Sequence, residues 1–202
     1  MASFIIAVTG GVASGKSAVT GLFSEFGIMI VDADLAARKI VEPGQPTLEE
    51  IADCFGSHLI VDGQLNRQAL RELVFDNDKV RKKLEAITHP RIRQLLMDEC
   101  TAATSAYALV AIPLLAEGSR EHYAWLDRIL LVDVTRETQR KRLLSRDKIT
   151  ESLADKMLDA QASRQQRLAL ANDVISNMHN LDSLKQCVQR LDQRYRKLAT
   201  RA

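Results

Sequence analysis

The apolar run Phe4-Ile5-Ile6-Ala7-Val8-Thr9 passes directly into Gly10-Gly11-Val12-Ala13-Ser14-Gly15-Lys16-Ser17. A helical pattern follows at once, with Val19, Leu22, Phe23 and Phe26 at i, i+3, i+4 and i+7 and Gly27 placed to end it. Strand, G-x-x-x-x-G-K-[ST], helix is the order that a phosphate-binding loop requires. Gly10 and Gly15 admit backbone conformations that a Cβ penalises, so successive N–H groups can converge on one anion. The helix behind the loop adds unpaired N–H groups and the positive end of its dipole. Lys16 is placed to lie along β- and γ-phosphates, and the Ser17 hydroxyl to ligate Mg²⁺. The stretch predicts a nucleoside triphosphate site.

Strands and helices alternate from there. Ile28-Met29-Ile30-Val31 reads as a second strand running into Asp32-Ala33-Asp34, with a helix over about 35–41. Pro43-Gly44-Gln45-Pro46 is a turn, and Thr47 with Glu50 makes a capping-box pattern for a short helix ending near Gly56. From Asn66 to about Ser105 the pattern is helical: one helix starts at Asn66-Arg67, Asp76-Asn77-Asp78 caps a second, and His89-Pro90 breaks that one and begins a third. This stretch is too long for a simple βαβ crossover and reads as an inserted subdomain. Strands over 107–112 and 129–132, the latter ending at Asp133, are followed by helices over about 136–145 and 151–167. A short strand, Asp173-Val174-Ile175-Ser176, and an amphipathic helix over about 184–198 close the chain. The expected fold is a three-layer α/β/α arrangement on a parallel sheet, with ligands at the carboxyl ends of its strands.

Charge and composition narrow the partners. Lys+Arg 28 against Asp+Glu 26 leaves a net charge of +2, and aromatic residues make up 4%, so neither a basic track nor a stacking surface for nucleic acid is expected. Cys54, Cys100 and Cys187 form no C-x-x-C pair and fall in predicted helices, which fits buried or incidental thiols in a reducing compartment. No apolar run approaches the roughly 18 residues of a membrane span, and the N-terminus lacks a basic region. A cytoplasmic protein that binds no membrane is expected.

Three acidic positions follow strand ends: Asp32 with Asp34, Glu117, and Asp133. A phosphoryl-transfer site needs a carboxylate to hold Mg²⁺ or to accept a hydroxyl proton. Both Ile-Met-Ile-Val-Asp32 and Ile-Leu-Leu-Val-Asp133 fit that pattern, which by itself does not choose between them. Asp32-Ala33-Asp34 offers two carboxylates in one turn; one can serve the metal and the other the acceptor, with Asp34 the favoured base, unless one is no more than a helix N-cap. Arg140, Arg142 and Arg146 lie on or at the end of one predicted helix, with Arg142 and Arg146 on a common face. They read equally as a solvated face or as a cationic lid over a nucleotide. His89 beside Pro90 reads by itself as a helix-start device.

Taken together, Thr9 to Ser17, Asp32-Ala33-Asp34, Leu65 to Arg71, Ile87 to Arg93 and Ile112-Pro113-Leu114-Leu115 resemble, in order and spacing, the dephospho-CoA kinase family. Arg142-Leu143 to Arg146-Asp147, Gln161 and Asp173 to Asn177 continue the likeness. The resemblance implies an adenylate-kinase-like enzyme that moves the γ-phosphoryl group of ATP, with Mg²⁺, to the ribose 3′-hydroxyl of dephospho-CoA. It implies a nucleotide core over about 1–34, 106–137 and 168–202, a helical substrate subdomain over about 35–105 and a lid over about 138–167. On that reading Lys16, Asp34, Arg142 and Arg146 are catalytic, and Ser17 and Asp32 face the metal. Gly11, Ala13, Ser14, Gly15, Lys16, Ser17, Ala18 and Asn177 bind the nucleotide. Asp34, Asn66, Arg67, Arg71, His89, Arg93 and Leu114 contact the acceptor. The chain departs from the family pattern at Ala13 and Ala18, where Gly and Thr are usual, and at Ala116, where Phe is usual. Another small-molecule kinase would share this core with a different acceptor pocket. A GTP-binding switch would need an N-K-x-D element late in the sheet, and Asn77-Asp78-Lys79-Val80 has similar letters in the wrong order and place.

Overall fold

Every residue of the first strand, β1 (Ile5–Thr9), is buried, as expected of an apolar run covered on both faces. In the computed structural model, which describes residues 2–75, 77–118, 120–178 and 180–201, β1 is the central strand of a five-stranded sheet. With β2 (Met29–Asp32), β5 (Ala108–Ala111), β6 (Arg128–Asp133) and β7 (Asp173–Ser176), the strand order is β2-β5-β1-β6-β7. β1 pairs in parallel with β5 (Val8 opposite Ala111) and with β6 (Thr9 opposite Leu131), and β6 pairs in parallel with β7. Ile6 and Val8 meet Val19 and Phe23 of α1 (Lys16–Glu25) and Leu184, Val188 and Tyr195 of α9 (Leu181–Ala199) in one core cluster. Asp173 anchors α9 to the sheet, accepting from Arg128 Nε at 2.8 Å, Arg194 Nη1 at 2.6 Å and the Tyr195 hydroxyl at 3.1 Å.

The chain divides into two compact units, Met1–Val31 with Glu99–Ala202, and Asp32–Asp98. The second unit contains α2 (Ala33–Lys39), α3 (Pro46–Phe55), the hairpin β3 (Ile60–Val61) and β4 (Gln64–Leu65), α4 (Arg67–Phe75) and most of α5 (Asp78–Ala102). Its own core is Ile40, Val41, Ile51, Leu59 and Ile87. The hairpin turns on Asp62 and Gly63, both at positive φ (51° and 75°), the pairing that a two-residue primed turn demands.

Local readings fail at three places. His89-Pro90 does not begin a helix: α5 runs through Pro90. Proline removes the donor that Ala86 O would accept, and the bonds of the Thr88 hydroxyl to Leu84 O (2.9 Å) and of Arg91 Nη1 to Ile87 O (2.7 Å) lie on neighbouring carbonyls; Leu84, Ile87 and Ile92 hold both sides of the proline in one core. Thr47 is not an N-cap, because Pro46 occupies the first turn and Thr47 is buried within α3; Glu50 pairs with Arg91 instead. The stretch 151–167 is two helices, α7 (Glu151–Asp159) and α8 (Arg164–Leu170), because Ser163 and Gln166 form a reciprocal capping box that starts the second. Asn77 Oδ1 caps α5 by accepting from Lys79 N and Val80 N; Asp76, expected to share that cap, lies outside the described residues.

Candidate phosphate-binding site

The loop after β1 is held open by its own backbone and gripped from behind. Gly15 takes φ +93°, and a Cβ there would run into Asn177 Nδ2; at Gly10 a Cβ would lie 2.6 Å from Val132 O. Both glycines are therefore demanded by strain or by close approach. Ala13 also adopts a left-handed conformation, φ +57°, which normally favours glycine. Its methyl group packs with Val12 against Leu143, Ala154 and Leu158, an apolar contact that offsets part of the strain. The departure from the family pattern at this position thus has a local reason.

Loop polar groups divide into those spoken for and those left over. Val12 is bracketed: its N–H donates to Gln161 Oε1 at 2.8 Å, and its carbonyl accepts from Gln139 Nε2 at 2.7 Å. Gln139 belongs to α6 (Arg136–Asp147), and Gln161 follows α7. Arg142, also on α6, donates through Nη1 to Ser14 O (3.1 Å) and Ala13 O (3.4 Å) and through Nη2 to Asn177 O (2.7 Å). Asn177, just past β7, donates to Ser14 O at 2.8 Å. The amides of Ala13, Gly15 and Ser17 take no hydrogen bond among the described residues, and the buried Ser14 hydroxyl has no partner there either. Spare amide donors clustered at a helix start, with a buried hydroxyl among them, suit an anion. Lys16 Nζ lies over the loop mouth, donating to Gly10 O (2.7 Å) and Gly11 O (3.2 Å).

Two acids that competed with Asp32 in the sequence are engaged elsewhere. Asp133, at the end of β6, receives Arg164 Nε at 2.9 Å and Nη2 at 2.7 Å, and that contact pushes the Arg164 guanidinium above its ordinary range. Glu117 Oε1 accepts from Ala162 N at 2.9 Å. Together they tether the segment leading into α8, whose Arg167 is buried against the loop at Gly11. Burial holds the Arg167 guanidinium below its usual range. Arg146, by contrast, is exposed and pairs with its neighbour Asp147, which lowers that carboxyl. The structure thus brings Lys16, Ser14, Gly15, Arg142 and Asn177 together, and it adds Gln139, Arg164 and Arg167, which sequence reasoning missed. The Ser163-x-x-Gln166 spacing was the signal that could have located the last two at a helix start.

In the second unit Asp32 Oδ1 caps α2, accepting from Asp34 N at 2.8 Å and Leu35 N at 3.2 Å, while Asp34 is exposed in the first helical turn. Asn66 Oδ1 accepts from Ala69 N at 3.1 Å, the same N-cap device on α4. Arg67 and Arg71 follow on α4 at i, i+4 spacing and are exposed; exposed His89 and half-buried Arg93 repeat that spacing on α5. Leu114, in the first unit, is 56% exposed.

A phosphate loop on the central strand of a sheet in this order, with a basic helix gripping the loop, defines a P-loop kinase fold. Shikimate kinase from Acinetobacter baumannii shares it, with a TM-score of 0.53 at 16% identity over 94% of this chain and 90% of that one. The family model of dephospho-CoA kinase matches residues 4–183, and the chain belongs to that family. The dephospho-CoA kinase of Xanthomonas campestris is 53% identical over 97% of this chain and 95% of its own length. That of Escherichia coli is 46% identical over 98% and 95%. Among solved structures, TT1252 from Thermus thermophilus superposes with a TM-score of 0.80 at 30% identity, covering 95% of this chain and 97% of that one. Dephospho-CoA kinase from Campylobacter jejuni gives 0.72 at 26% identity over 96% and 97%.

Proposed function

We propose that the chain transfers the γ-phosphoryl group of ATP to the ribose 3′-hydroxyl of dephospho-CoA, giving coenzyme A and ADP, the last step of coenzyme A biosynthesis. The carrying observation is family membership along nearly the whole chain together with a loop whose spare donors suit phosphate oxygens. Lys16 supplies charge to the β- and γ-phosphates, and the spare amides of the loop hold the nucleotide with no reorganisation during transfer. Asp34 accepts the hydroxyl proton as the new O–P bond forms and the bond to ADP breaks, and its exposure leaves it accessible to an acceptor. Asn66, Arg67, Arg71, His89, Arg93 and Leu114 are assigned to the acceptor, whose phosphates suit a cationic set. Arg142 and Arg146 are assigned to charge developing on the transferred group, and Asn177 to the nucleotide.

Among the described residues no group of three or more His, Cys, Asp or Glu side chains is placed to hold a metal ion. Mg²⁺ commonly takes one or two protein oxygens and fills its shell with substrate phosphates and water, a demand that one hydroxyl and one carboxylate oxygen can meet. Ser17 and Asp32 are the residues assigned to it, Asp32 through the oxygen not used in the cap; bound Mg²⁺ would neutralise charge on the β- and γ-phosphates. No helix among the described residues is long and apolar enough to cross a membrane, and a cytoplasmic location suits a biosynthetic enzyme of this kind. The test is ATP consumption with dephospho-CoA against adenosine, AMP and pantetheine phosphates as acceptors. Turnover confined to dephospho-CoA supports the assignment; preference for a nucleotide or nucleoside moves the chain to a different small-molecule kinase activity.

A further inference from the structure

Arg167 is 8% exposed, yet among the described residues no carboxylate lies within ion-pair distance of its guanidinium. The carboxylates nearest in effect are committed elsewhere: Asp133 to Arg164, and Glu117 to Ala162 N. Nη1 donates to Ala162 O, which accounts for one of its five donor hydrogens. Arginines that reach buried carboxylates are matched by them: Arg128 and Arg194 share Asp173, and Arg196 chelates Asp192. A cation this buried with no carboxylate in ion-pair contact is costly, and burial outweighs the attraction of the more distant Glu117 and Asp133 in disfavouring its charged form. An anion that arrives and leaves resolves that cost.

Position says which anion. The guanidinium carbon and Nη2 lie 3.2 Å from where a Cβ on Gly11 would sit, so the group packs directly against the phosphate loop. Lys16 Nζ reaches the same glycine from the loop mouth, 3.2 Å from Gly11 O. In a loop of this kind the lysine serves the β- and γ-phosphates, so Arg167 stands at the terminal-phosphate end. The Val12 bracket, made by Gln139 and Gln161 from the segments on either side of α7, and the Arg164–Asp133 pair fix the start of α8 relative to the loop.

We infer that Arg167 is a nucleotide-contacting residue, its guanidinium pairing with an oxygen of the β- or γ-phosphate. The inference rests on the loop being the ATP site. It adds a cation from α8 to those assigned on α6. Arg142 reaches the loop through its carbonyls, Arg164 is held on Asp133, and Arg167 stands against Gly11.

The experiment is calorimetric titration of the full chain, in Mg²⁺ buffer, with ATP, ADP, AMP and inorganic tripolyphosphate. Arg167→Met keeps the apolar stem and removes the charge. ATP, ADP and tripolyphosphate should bind about ten- to a hundredfold more weakly, the range of a charge-assisted contact, while AMP changes by less than about twofold. Arg167→Lys should recover part of the loss. A residue that merely props the turn before α8 would weaken all nucleotides together or none, and either pattern overturns the inference. If Arg167→Met does not fold by circular dichroism, Arg167→Lys carries the decision through the same ATP-to-AMP ratio, an unchanged ratio counting against the inference. A wild-type chain that bound neither ATP nor tripolyphosphate would sink the loop assignment and this inference with it. Wild-type binding with unaltered variants sinks this inference alone.

Discussion

Replacing Gly15 by alanine tests the loop geometry in two separable parts. The first is backbone strain: φ is +93°, where an L side chain costs on the order of 1–2 kcal/mol. The second is collision, because the new Cβ would occupy the place of Asn177 Nδ2 and drive out the buried 2.8 Å bond to Ser14 O. Breaking that bond and leaving a buried amide unsatisfied costs roughly 1–3 kcal/mol. Gly15→Ala should therefore destabilise the ligand-free protein by about 2–5 kcal/mol, a fall in Tm of roughly 4–20 °C for a chain of this size. The assay is urea denaturation of wild type, Gly15→Ala, Asn177→Ala and the double variant. Asn177→Ala alone loses the bond and should cost about 1–3 kcal/mol, but in the Gly15→Ala background it should cost almost nothing, since the bond is already gone. The coupling energy should thus equal the collision part, and the residue left over is strain. A cost under about 0.5 kcal/mol for Gly15→Ala, or additivity to within about 0.5 kcal/mol, would refute the packing described here.

Other expectations follow from single contacts. Lys16→Ala should fold normally and lose phosphoryl transfer by several orders of magnitude; near-normal turnover removes the loop lysine from the mechanism. Asp32→Asn preserves the N-cap of α2, since asparagine caps as well as aspartate, so any loss of activity restored by extra Mg²⁺ reports a metal role rather than instability; Asp34→Asn should keep ATP and Mg²⁺ affinity and lose roughly a hundredfold to ten-thousandfold in kcat. If Asp34→Asn is the variant rescued by Mg²⁺, the two roles are exchanged. Arg142→Ala removes donors to three carbonyl oxygens and should raise the KM for ATP as well as lower kcat, whereas Arg146→Ala, whose guanidinium pairs with exposed Asp147, should lower kcat alone; equal KM effects contradict the division. Burial pushes the Cys100 thiol up to about 12 from 9.0, and burial likewise raises Tyr107 and Tyr195. Because these folded-state values exceed the unfolded ones, stability is intact below about pH 9 and falls as pH climbs toward 12; Cys100→Ala should flatten that decline by up to about 1.4 kcal/mol per pH unit in denaturation curves, and an unchanged slope contradicts the burial argument.

Local chemistry determined what the sequence by itself could determine. The loop from Gly10 to Ser17 was legible because glycine, lysine and a hydroxyl at fixed spacing between a strand and a helix are needed for reasons internal to that stretch. The strand Asp173–Ser176 and the helix that Gly27 ends were legible for the same reason, their periods and stop signals being contained within a few residues. Features decided by partners far along the chain were not. Two apolar strands ending in aspartate looked alike, and only tertiary structure gave Asp133 to Arg164, 31 residues away. Pro90 reads as a breaker until the shared core of Leu84, Ile87 and Ile92 on both sides of it outweighs one missing donor. Arg167 carries no signal as a letter; what distinguishes it is burial beside Gly11, 156 positions earlier, with no carboxylate among the described residues in ion-pair contact. Burial and charge balance are properties of the folded neighbourhood, so no window of sequence contains them.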